Sequence, residues 1–141
     1  MCDVLVGGLP VPPALLAAIR EGRWRVPADH DLVAAVFRDR PAQPAFYGTS
    51  GMTGETAYWH AESDPDTIAQ YVGRADPKDP PGDIDPSKSI LIGDLGPDQP
   101  IALDYRTGQE RPPVVYLTTY GGWIQVAPDI ESLLERLGLD E

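Results

Sequence analysis

An α+β domain around a largely antiparallel sheet is the fold class this sequence predicts, on three observations. Helical patterns come first, behind proline starts. Short apolar runs separated by turn residues fill the stretch from Ser89 to Val126, without the alternating helices that βαβ units would need. An amphipathic stripe of Ile130, Leu133, Leu134 and Leu137 closes the chain. A chain of 141 residues buries one ordinary core and not two, so a single domain over residues 1–141 is expected.

The elements follow in order. Pro12 and Pro13 supply the fixed φ of a first helical turn, Gly22 supplies a left-handed stop, and Leu15, Leu16 and Ile19 share the face between them. A second helix is expected from Ala28 to Arg38, with Leu32, Val33, Val36 and Phe37 inward and Pro41 closing it. Trp24 and Val26 lie between the two and are expected in the core. Ala45 to Tyr47 and Thr56 to His60 read as short strands, separated by a flexible loop from Gly48 to Gly54 that holds three glycines in seven residues. Asp64 and Pro65 then cap a short helix with Ile68, Tyr71 and Val72 inward, ending near Gly73. Ala75 to Ser87 contains four prolines and no apolar periodicity, so it reads as a long loop.

The last third is the clearest. Ile90-Leu91-Ile92 is a buried strand, Gly93 to Gln99 a turn, and Ile101 to Tyr105 the returning strand. After a turn-rich connection from Arg106 to Pro113, Val114 to Thr118 pairs across Tyr120-Gly121-Gly122 with Trp123 to Val126. Pro128 starts the final helix, and Gly138 follows it.

Charge narrows the function. Twenty-two acidic residues against 11 Lys and Arg give a net charge of −11, which repels a phosphate backbone and argues against direct nucleic-acid binding. Residues 1–55 are nearly neutral, with six acids and five arginines. The other 16 acids and six bases give residues 56–141 a net of −10. The densest run is Glu62, Asp64, Asp66, Asp76, Asp79, Asp83 and Asp85, faced only by Arg74 and Lys78. Those seven carboxylates are the expected partner-binding surface, weighed against the plain reading of a solvated loop. No apolar segment is long enough to span a bilayer, the first residues lack an export pattern, and the single Cys2 cannot form an internal disulfide. A cytoplasmic location is therefore expected.

Motifs for chemistry are sparse. The Gly48 to Gly54 loop lacks the lysine of a P-loop, and Ser50 lacks the spacing of a nucleophile elbow. His30 and His60 lie in different elements without further ligands at metal spacing, and Cys2 has no neighbouring base, so no metal or other cofactor is expected. Asp94 and Asp104 flank the same predicted hairpin and are the pair a small hydrolase would use, provided they share a cleft about 5 to 9.5 Å apart. Each also fits a local role in a turn or at a strand end. No catalytic residue is assigned.

From Ser89 to Leu139 the order of elements resembles the C-terminal part of the SUKH superfamily. The resemblance is carried by Ile90-Leu91-Ile92-Gly93-Asp94, then Pro100 to Tyr105, Pro113-Val114-Val115-Tyr116, Trp123-Ile124-Gln125-Val126-Ala127 and an amphipathic helix. The amino end departs from the family pattern, because the helix ending at Gly22 lacks an Asn-Gly-Gly-like turn. The resemblance implies an α+β binding domain without established catalysis, in which Ile92, Gly93, Trp123 and Val126 are packing residues. It also implies either of two roles: an immunity protein that occludes a cognate toxin inside the cell, or a regulator acting through other protein contacts. An acidic member suits a basic-surfaced nuclease or deaminase toxin.

Overall fold

The computed structural model describes residues 4–61, 66, 71–78, 80–96, 99–119 and 122–140. The chain opens with a hairpin absent from the sequence reading, β1 (Leu5–Val6) and β2 (Leu9–Pro10), turned by Gly7 and Gly8 at φ of 59° and 80°. Two consecutive positive φ angles suit the tight turn of a twisted hairpin. α1 (Pro13–Arg20) starts on proline as expected. Its buried residues are Leu15 and Ala18, with Leu16 and Ile19 only half-buried. Trp24 is buried and Val26 half-buried. α2 (His30–Phe37) is capped by the Asp29 carboxylate, which accepts the backbone N–H groups of Asp31 and Leu32, and it buries Val33 and Phe37.

Six strands form the main sheet: β3 (Ala45–Phe46), β4 (Pro81–Gly82), β5 (Ser89–Asp94), β6 (Pro100–Asp104), β7 (Val114–Leu117) and β8 (Trp123–Ala127). Their spatial order is β3-β5-β6-β7-β8-β4, and every pairing is antiparallel. The protein is thus a single small α+β domain. Alternation sends Ile90, Ile92, Ile101, Leu103, Val114, Tyr116 and Val126 into the main core beneath α1, α2 and the final helix, α4 (Ile130–Arg136). Leu91, Ala102, Val115, Leu117 and Trp123 face the other way, into a second cluster with Ile84, Trp59 and Tyr71. Burial on both faces explains why these strands read as continuous apolar runs.

Three parts of the sequence reading change. Thr56 to His60 is helical, and the expected loop from Gly48 belongs largely to the same element, α3 (Thr49–Ala61). Glycines at positions 51 and 54 weaken a helix by about 1 kcal/mol each relative to alanine. Burying Met52 returns about 1.5 to 3 kcal/mol, which offsets that cost, and the packing of Trp59 against the second cluster adds to it. Ala75 to Ser87 is structured too: Pro81 and Gly82 form β4 on the outside of β8, Gly73 bridges Asp83, and Pro86–Lys88 is a 3₁₀ turn. Proline is tolerated in β4 because it is an edge strand. At the carboxyl end Asp129, and not Pro128, begins the helix: its carboxylate accepts the Ser132 N–H at 2.8 Å. The predicted helix start at Asp64, Pro65 and Ile68, the turn residues Tyr120 and Gly121, and Cys2 lie outside the described residues, whereas Tyr71 and Val72 are helical.

Candidate functional site

The acidic segment is the surface the sequence singles out, and its carboxylates divide into two kinds. Asp66 and Asp76 are exposed. Asp76 also accepts the Lys78 N–H at 2.9 Å, a local turn contact. Asp83 and Asp85 are half-buried and bear on the fold. Asp83 accepts from Arg106 Nη1 at 2.9 Å, and its carbonyl accepts from Nη2 of the same guanidinium at 2.9 Å. Asp85 caps the 3₁₀ turn, accepting the Ser87 N–H at 3.0 Å and the Ser87 hydroxyl at 2.7 Å. Glu62, Asp64 and Asp79 lie outside the described residues.

Arg106 is the centre of this arrangement, and the sequence reading assigned it no role. Its Nε and Nη2 also reach the Asp104 carboxylate at 3.0–3.2 Å, so one guanidinium joins the end of β6 to the acidic segment. Hydrogen bonding to Asp104 above all, opposed by burial and reinforced by Asp83, pushes the Arg106 pKa up. Asp104 is only 5% exposed, so this partner is what makes its burial tolerable. Nothing local in the sequence signals a contact between residues 83 and 106. They meet because β5, which follows the acidic segment, pairs with β6 so that Ser89 lies opposite Asp104.

The carboxylate pair of the hydrolase reading does not assemble. In the β5–β6 register Asp94 lies opposite Pro100 and Asp104 opposite Ser89, at the two ends of the pairing. Five residues of strand separate them by roughly 15 Å, well beyond the spacing of a paired acid and base. Asp94 accepts a hydrogen bond from the Tyr47 hydroxyl, whose pKa is pushed up by burial and then by Asp94 itself. Asp104 is committed to Arg106. Among the described residues no group of three or more His, Cys, Asp or Glu side chains could hold a metal ion, and no helix is long and apolar enough to cross a membrane.

His60 and Thr56 have a structural assignment instead. α3 runs along the outer edge of β5 where β3 does not reach. There the Thr56 hydroxyl accepts the Leu91 N–H at 3.1 Å, and His60 Nε2 lies 2.8 Å from the Ser89 carbonyl. The helix thereby covers a strand edge that would otherwise stay open to another chain.

No family model, no curated protein and no solved structure matches the chain.

The residues that the SUKH resemblance marks for packing are found in packing positions. Ile92 and Trp123 are fully buried and Val126 is 3% exposed. A Cβ on Gly93 would come within 2.6 Å of the Ala45 carbonyl oxygen, so the approach of β3 requires glycine there. The Trp123 indole N–H donates to the Tyr71 carbonyl and its ring tilts against Trp59 at 6.3 Å, tying β8 to α3 and to Tyr71 within the acidic segment.

Proposed function

We propose that this protein is an intracellular protein-binding module of the SUKH type, an immunity protein that binds and neutralises a basic-surfaced toxin of the nuclease or deaminase kind. The observation that carries the reading is the acidic segment braced on the sheet by Arg106, with Asp66 and Asp76 exposed on it in a chain of net charge −11. A surface of one sign raises the encounter rate with a partner of the other sign and competes for the basic cleft that such a toxin needs for its nucleic-acid substrate. Binding would be by occlusion, with no reaction on the immunity protein and no cofactor.

The test is co-expression with the toxic domains encoded beside this gene. The proposal expects growth to be rescued and the two proteins to co-purify as a stoichiometric complex. If no adjoining gene encodes such a toxin and none becomes tolerable on co-expression, the immunity role is wrong. A complex with a non-toxic protein would instead support the regulator or scaffold role.

A further inference from the structure

Between Arg40 and Arg74 the chain carries no lysine or arginine, and its acids there are Glu55, Glu62, Asp64 and Asp66. α3 lies in that stretch. One side of it is used by the fold, with Met52 and Thr56 buried and Trp59 and His60 half-buried. The other side, with Gly54, Glu55, Ala57, Tyr58 and Ala61, faces solvent. Tyr58 is 81% exposed.

The other large apolar side chains left exposed among the described residues are Leu5, at 57%, and Val4, at 39%, and both belong to β1 or its edge. β1 touches α3. Exposed apolar residues scattered singly need no explanation, but these gather on two neighbouring elements. Gly54 points the same way. A Cβ built on it meets nothing within 4 Å, so no internal contact calls for glycine at this exposed mid-helix position, where it weakens the helix.

Charge selects the occupant. A second copy would bring together two molecules each of net charge −11, whereas a partner with basic residues around an apolar contact is attracted. Trp59 and Tyr71, edge to face at 6.1 Å, join the inner side of α3 to Tyr71 within the acidic segment. We infer that the exposed face of α3, with Leu5 beside it, is the apolar centre on which a basic protein partner docks. Tyr58 is its anchor, with Glu55 exposed beside it on the same helix. Aromatic anchors within a polar rim are the usual energetic anatomy of a protein interface. The inference rests on the protein-binding reading above and moves the centre of contact from the acidic segment to α3.

The experiment places a photo-cross-linking phenylalanine analogue in the full chain at Tyr58 and, in separate variants, at Asp76, Gln125 and Glu131, with irradiation in the native cell. The Tyr58 version is repeated with Gly54→Gln. The expected result is one discrete adduct from Tyr58 to a protein with a basic surface, reduced at least tenfold by Gly54→Gln. That variant itself should melt about 2 to 5 °C higher, because glutamine favours the helix. Adducts from Asp76 with none from Tyr58 would overturn the inference and leave the protein-binding reading standing. So would an unchanged adduct in Gly54→Gln, or an adduct to a second copy of this chain. No adduct from any position would overturn both readings.

Discussion

At the scale of single residues, Arg106 and Asp129 show how few side chains fix the ends of elements. Arg106 makes four contacts with two carboxylates and one with a carbonyl, and the Asp104 carboxylate beneath it is nearly inaccessible to water. Arg106→Met keeps much of the side-chain stem but leaves that carboxylate unpaired. We expect a loss of about 2 to 3 kcal/mol in urea unfolding, together with faster amide exchange around Asp83 and Ile84. Equal stability would mean that Asp104 finds another partner. Asp129 is a simpler case. The backbone N–H of Ser132 first, and its hydroxyl second, lower the Asp129 pKa in the folded protein. A depressed carboxylate pKa stabilises the fold above the unfolded value of about 3.9, and that stability is lost as pH falls through the folded value. Asp129→Ala should therefore cost about 1 kcal/mol at pH 7, and the gap between variant and parent should close as acid protonates the Asp129 carboxylate. A gap that persists in acid would assign the effect to packing and not to the charged cap.

At the scale of elements, α3 is the piece whose identity and role diverge most from its local sequence. Thr56-Ala57-Tyr58-Trp59-His60 has the β-branched and aromatic composition of a strand, and glycines precede it. The inward residues are nevertheless Met52, Thr56 and Trp59, at helical spacing, and the element occupies the place beside β5 where another strand would pair. Thr56→Val tests this directly. It preserves shape but removes the acceptor for a buried N–H, so we expect a loss of about 1 to 3 kcal/mol and accelerated exchange of the Leu91 amide. If Leu91 exchange were unaffected, the Thr56 hydroxyl would not be closing the β5 edge. The opposite edge is treated in a parallel way, by the two-residue β4 and by Arg136, which donates to the Val126 carbonyl.

At the scale of the whole molecule, charge and architecture separate. The sheet and its two apolar clusters are built from nearly uncharged strands, while net charge accumulates on the segments around them. Asp83 and Asp85 belong to the architecture, so neutralising every acid of the 62–85 segment would confuse folding with binding. Asp76→Asn avoids those two. It should leave thermal unfolding within about 0.5 kcal/mol of the parent. For the proposed toxin complex it should lower the association rate at low salt, with the difference fading above about 0.5 M salt as exposed charges are screened. An unchanged association rate at low salt would place the interface away from this segment.

What the sequence determined by itself is the α+β class, the run of strands from β5 to β8 and the closing helix. Each follows from apolar periodicity with turn or capping residues at its ends, and those are local properties. The Gly7-Gly8 hairpin, β4 and α3 escaped because their conformation is set by partners distant in the chain: His60 and Thr56 against Gly7, β8 against Pro81, and the open β5 edge against Thr56. The acidic segment was legible as composition. Its division into structural acids, Asp83 and Asp85, and exposed ones, Asp66 and Asp76, required tertiary structure. The ion pair between residues 83 and 106 has no local sequence signature, and it exists only because the sheet brings the two residues together.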